Sequence, residues 1–137
     1  MSTQDRLYHL MAQREKLRLS STSAKLRTMR EDHENTQNAA HKISSLLQEK
    51  KGDITHVSHP AQLQATHWFG TELAAQLDIT RNRAEMLAGQ QDGVQRELTQ
   101  IETRFDMLSD RATTARRQAA QDKQDRADEQ NGGTRRR

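Results

Sequence analysis

The sequence predicts an all-α protein, an antiparallel two-helix coiled-coil hairpin whose second helix is longer and overhangs the first. Three observations carry this prediction. From Leu73 to Ala119 the chain steps alternately by four and three residues through Leu73, Leu77, Thr80, Ala84, Leu87, Gln91, Val94, Leu98, Ile101, Phe105, Leu108, Ala112, Ala115 and Ala119; only Thr80 and Gln91 are not apolar. An upstream stretch repeats every seven residues through Ala12, Leu19, Leu26, His33, Ala40 and Leu47. Between them lies one short polar segment that ends in the only proline, Pro60. A stripe of period 3.5 keeps facing a partner only if two helices wrap around each other, whereas a globular core asks for a wider apolar face. Composition agrees, because 31% hydrophobic, 30% charged and 3% aromatic residues leave too little bulk for a thick core and suit long helices.

Helix 1 is expected over about Thr3 to Lys51. Its second seam column, Tyr8, Glu15, Thr22, Met29, Thr36, Ile43 and Lys50, is weaker than the first. The Ser20-Ser21-Thr22-Ser23 cluster has poor helix propensity and is a place for the helix to fray or bend. Lys50 and Lys51 put cations on the negative helix end, and Gly52 follows as a stop signal.

Residues 52–59 read as a polar turn, and Pro60 suits the first turn of helix 2, where its missing N–H costs little. Helix 2 is expected from about Pro60 to Gln130, stopping before Asn131-Gly132-Gly133, with 131–137 left as a flexible basic tail. Residues 1–130 then form a single hairpin. Gly89 and Gly93 each weaken the middle of helix 2 by about 1 kcal/mol relative to alanine. They read as a hinge, and a true turn at Asp92-Gly93, giving three shorter helices, is the rival architecture. A tight turn would place Leu47 opposite about Leu63 and Leu7 opposite about Arg104. Helix 2 would then overhang by about 20 to 25 residues, or about 35 Å. On that register Leu108, Ala112, Ala115 and Ala119 have no helix 1 to cover them, which implies an external partner or weak self-association.

Several function classes are disfavoured. No phosphate-cradling glycine loop, cysteine nucleophile or cleft-forming carboxylate pair is present, so the chain is not expected to be an enzyme and no cofactor is implied. His56, His59 and His67 lack the companions of a recognised ligand pattern, so no metal is expected. Arg6 to Arg30 hold seven cations (Arg6, Arg14, Lys16, Arg18, Lys25, Arg27 and Arg30) against one acid, Glu15, and Arg135 to Arg137 add a basic tail. Such a stretch suits nucleic acid, an acidic membrane or an acidic protein surface, or is simply a solvated face. Diffuse cations without a recognised motif argue against nucleic acid. Without cysteines, an 18-residue apolar run or a signal-peptide core, the protein is expected to be soluble and cytoplasmic.

Two surfaces stand out. Trp68 and Phe69 fall outside the seam extended back from Leu73, so they should be exposed at the turn end, with Leu73, Ile43 and Leu47 beside them. They serve either as a partner anchor or, if the register shifts there, as a cap on the hairpin. At the open end, Arg6, Arg14, Lys16 and Arg18 of helix 1 converge with Arg111, Arg116, Arg117, Lys123 and Arg126 of helix 2, beside the uncovered seam that starts at Leu108.

This layout resembles the FliJ family, the small coiled-coil component of the flagellar type III export apparatus, and its injectisome counterparts. The likeness rests on chain length, a shorter helix 1, a polar turn and a longer helix 2. Its best local match is Trp68-Phe69-Gly70-Thr71-Glu72-Leu73 with Leu77 and Arg81, together with the charged run from Arg116-Arg117 to Asp128-Glu129. The resemblance implies a stalk that engages and stimulates the hexameric flagellar export ATPase with its joined helix ends. It also implies contact of the turn end with the membrane export gate protein, through Phe69 and Leu73 with Trp68, Ile43 and Leu47 around them, and a part in recycling export chaperones. Peripheral association with the cytoplasmic face of the inner membrane follows through those partners. The alternatives are a coiled-coil scaffold that dimerises through the overhanging seam, or a nucleic-acid-binding coiled coil.

Overall fold

The computed structural model describes residues 3–53 and 59–135 and is all-α, a coiled-coil-like helical hairpin of α1 (Thr3–Asp53) and α2 (Pro60–Arg135). His59 opens α2 as its capping residue, its carbonyl accepting the first helical hydrogen bond from Leu63 N–H at 3.0 Å, with Pro60 in the first turn. α1 ends with Lys50 and Lys51 in its last turn and runs two residues past the expected stop. The serine cluster does not interrupt α1, and α2 passes through Gly89 and Gly93 unbroken, so the three-helix alternative is not adopted. The expected tail is helical as far as Arg135, because no described glycine takes the positive φ that a glycine cap uses. Residues 54–58 of the expected turn, with His56, and tail residues Arg136 and Arg137 lie outside the described residues.

Both seams are turned inward as their spacing predicts. Leu77, Leu87, Val94, Leu98, Ile101 and Leu108 are buried, and the other eight named seam positions of α2 are half-buried. On α1, every position of the two seam columns is buried or half-buried. Polar seam residues are accommodated locally. Thr36 and Thr80 each donate their hydroxyl to the carbonyl one turn back (Asp32 and Gln76), at 2.7 Å in both cases, which leaves their methyl groups free to pack.

The hairpin divides into two compact units, one formed within Met1–Ser23 and Arg96–Arg137, the other Ala24–Gln95. In Ala24–Gln95 the pairing is antiparallel: Lys50 Nζ lies 5.3 Å from the centre of the Phe69 ring, and Arg30 Nη2 donates to Gln95 Oε1 at 3.1 Å. In the other unit Asp5 meets Arg116, while Arg18 and Thr22 share a groove with Glu97, Ile101 and Arg104.

These pairings correct the expected register. Leu47 shares a groove with Thr66, Gly70 and Ala74, not with Leu63, which is exposed. Gln4 and Tyr8 share a groove with Arg111, Ala115 and Ala119, so Leu7 does not lie opposite Arg104. The cause is the start of α2. Residues 60–65 are all exposed and contribute nothing to the seam, which begins at half-buried Thr66 and Gly70. Pairing therefore slides about three turns along α2 relative to a tight hairpin. Leu108 is only 7% exposed and Ala112, Ala115 and Ala119 are half-buried, so the stretch expected to be uncovered lies in the paired seam. The overhang shrinks to the residues beyond Ala119, and 120–132 are exposed throughout.

A Cβ placed on Gly89 or Gly93 meets no atom within 4 Å, and both residues sit in a helix interior with ordinary backbone. Gly89→Ala and Gly93→Ala are each expected to stabilise the hairpin by about 1 kcal/mol. Thermal unfolding followed by circular dichroism checks this, and a lowered midpoint would show that the chain needs flexibility there.

Candidate functional site

Within Ala24–Gln95 the candidate surface is built around Trp68 and Phe69. Thr66, Gly70 and Leu73 hold the seam, so the intervening residues 67–69 face outward. Trp68 is 66% exposed and Phe69 40%, as their place outside the seam predicts. Leu73, Ile43 and Leu47 are half-buried and belong to the seam itself, where they support the surface more than they form it. Lys50 closes over the Phe69 ring in a cation–π contact that fixes the ring against α1. A groove of about 380 Å³ runs beside the pair, lined by Leu47, Lys50, Thr66, Gly70 and Ala74. Its openness follows from Gly70, where an added Cβ would meet nothing within 4 Å at a seam position that elsewhere in α2 always carries a side chain, from alanine to phenylalanine. Leu46 and Leu63 are also exposed in this unit, Leu63 having been expected to pair with Leu47. Lys50 was legible as a seam position, but its use against Phe69 depends on the shifted register.

In the unit that holds both helix ends, Arg6, Arg14, Lys16 and Arg18 are exposed along α1, and Arg111, Arg116, Arg117, Lys123 and Arg126 along α2. They differ in freedom. Arg116 Nε lies 3.7 Å from Asp5 Oδ2, an ion pair too long for a hydrogen bond, and Asp5 is 1% exposed. Arg18 reaches Glu15 Oε1 at 3.5 Å, while Glu15 Oε2 is buried with no hydrogen-bond partner among the described residues. Leu108, expected as an exposed apolar contact, is buried in the paired seam and does not face a partner. A groove of about 410 Å³ between Tyr8 and Ala115 is lined by Gln4, Arg111 and Asp122 and is an open surface feature.

Among the described residues no group of three or more His, Cys, Asp and Glu is placed to hold a metal ion, and no helix is long and apolar enough to cross a membrane. Compared with protein-family models, curated proteins and solved structures, the chain shows no significant match.

The Asp5–Arg116 pair separates structural from accessory arginines. Arg116→Glu sets an exposed carboxylate against the buried Asp5 and, with solvent screening at position 116, is expected to cost about 1 kcal/mol. Arg117→Glu, on an exposed residue with no such pairing, is expected to change stability by less than about 0.5 kcal/mol. Amide hydrogen exchange at residues 4–12 reads the difference, with faster exchange in the first variant only.

Proposed function

We propose that the protein is a FliJ-like cytoplasmic component of a flagellar type III export apparatus. In this reading it is a stalk that engages the hexameric export ATPase, favours its assembled ring and raises its turnover without doing chemistry itself. The observation that carries the reading is the aromatic-then-leucine segment Trp68 to Leu73, whose two rings stand exposed side by side on α2. Exposed aromatics of this kind are the usual anchors of protein interfaces, and here they would meet the membrane export gate. The cationic helix ends, Arg6, Arg14, Lys16 and Arg18 with Arg111, Arg117, Lys123 and Arg126, would engage the ATPase, and export chaperones would be recycled through the same protein. Peripheral placement at the inner membrane follows from these partners. Pairing of the Leu108-to-Ala119 stretch within the chain removes the apolar seam that both the ATPase contact and the dimerising-scaffold alternative were expected to use, so the ATPase contact proposed here rests on the cations alone.

ATP hydrolysis by the cognate ATPase should rise with added protein. The exposed-charge variant Arg117→Glu/Lys123→Glu/Arg126→Glu should weaken this stimulation by roughly tenfold in half-maximal concentration. Unchanged stimulation would move the ATPase contact elsewhere. For the gate, Phe69→Ala should lower affinity by roughly tenfold or more while helicity is kept, since it removes a ring and its Lys50 contact. Titration against the isolated cytoplasmic part of the gate protein measures this, and equal affinity would exclude the aromatic pair as the anchor.

A further inference from the structure

α1 carries a second apolar stripe that the hairpin does not use. Leu10 lies two residues from both Tyr8 and Ala12, and Leu17 two residues from both Glu15 and Leu19, all four of which are seam positions. Two residues turn a helix by about 200°, so Leu10 and Leu17 sit on the back of α1. Leu7 precedes Leu10 by three residues, and Arg14 fills the step between Leu10 and Leu17. The steps along Leu7, Leu10, Arg14 and Leu17 are three, four and three, the same alternation that builds the seam. All four residues are exposed, as is flanking Met11, and Leu17 is 74% exposed.

The charge on this face is one-signed for a structural reason. Residues 3–23 contain two acids, Asp5 and Glu15, and both are buried on the seam side, at 1% and 8% exposure. Arg6, Arg14 and Lys16 remain exposed, as does Arg18, which reaches back to Glu15 Oε1 at 3.5 Å. The outer surface of this half of α1 therefore presents leucines and cations with no carboxylate of its own.

We infer that the back of α1, from Arg6 to Arg18, is a docking seam for an acidic amphipathic helix of another protein, with leucines at three- and four-residue steps and Glu or Asp beside them. Complementary charge is the argument for this occupant. A guanidinium inside the stripe can take a carboxylate in a bidentate pair, which helix-on-helix docking supplies. A bilayer would instead have to desolvate Arg14 between two leucines, on a face without the aromatic residues that favour an interface. A second copy offers the same cations and repels. The overhanging part of α2, residues 120–132, has no side chain larger than alanine among its apolar residues and cannot fold back to fill the stripe.

The inference uses the fold and the exposed face and does not depend on the export-stalk reading. Its test contains no ATPase, so failure of one leaves the other standing. The full-length protein is titrated into a fluorescent four-heptad helical peptide with leucine at the seam positions and glutamate at the flanks, and into a twin with lysine flanks. Saturable binding of the acidic peptide is expected, with none of the lysine twin. Leu10→Gln/Leu17→Gln should weaken it at least about tenfold, at unchanged helicity. Arg14→Glu should weaken the acidic peptide and strengthen the lysine twin. No saturable binding, or equal binding by the leucine variant, would overturn the proposal. So would leucine-dependent retention of the protein on phosphatidylglycerol vesicles in place of the peptide, which would make the face a membrane contact.

Discussion

With no cysteine in the chain and a very thin core, the two helices are held together by side chains at alternating three- and four-residue steps, and everything else is arranged around that stripe. A helix with 3.6 residues per turn drifts by about 20° per heptad from a strict 3.5 repeat, so keeping the named positions from Leu73 to Ala119 buried or half-buried requires the helices to wrap around each other within each unit. Each residue is assigned by its step to the inside or the outside. Glycines that would weaken a lone helix are tolerated at Gly89 and Gly93, because they fall outward and leave the contact line untouched. The same assignment frees Trp68 and Phe69, since Thr66, Gly70 and Leu73 already occupy the inward positions.

The unit holding the helix ends uses this stripe differently from Ala24–Gln95. There α2 supplies Leu98, Ile101 and Leu108, but the buried residues of α1 are Ala12 with Asp5, Glu15 and Thr22. Buried carboxylates contribute little net stability and often cost some, especially where, as at Glu15 Oε2, an oxygen has no hydrogen-bond partner among the described residues. What Asp5, paired with α2, supplies is discrimination between registers. A heptad slip would carry Asp5 away from Arg116 and leave its charge buried without its cation. An alanine-rich stripe such as Ala112, Ala115 and Ala119 has little shape of its own to resist such a slip, so a charge pair at this end does what packing cannot.

The identity of the inward residues was legible in the sequence because it depends only on spacing. The pairing of one helix against the other was not, because it depends on where along α2 contact begins. A short connection suggests that pairing starts at once, near Leu63. In the structure the first residues of α2 stay outside the contact, and the shift passes down the whole seam. The covering of Leu108 to Ala119 and the closure of Lys50 over Phe69 are two consequences of that one displacement, and neither could be read from either helix alone. The end of α2 was misplaced for a local reason. Asn131-Gly132-Gly133 permits a left-handed cap but does not compel one, and a helix with no proline behind it can continue.

Burying acids to fix a register has a second effect on the surface they leave. Asp5 and Glu15 are the only carboxylates of residues 3–23, and placing both on the seam strips negative charge from the opposite side of the helix. Asp5 therefore bears on both the pairing of the helices and the external charge, and Glu15, paired with Arg18 of its own helix, on the external charge. A chain with alanine at position 5 would lose the Asp5–Arg116 pair that joins the two helices. A chain with its acids on the outer face would neutralise Arg6, Arg14 and Lys16 through neighbours three and four residues away, as Glu15 already does for Arg18. The heptad thus sorts charge as well as apolar bulk, and the hairpin gains a one-signed face through the choice of what it hides.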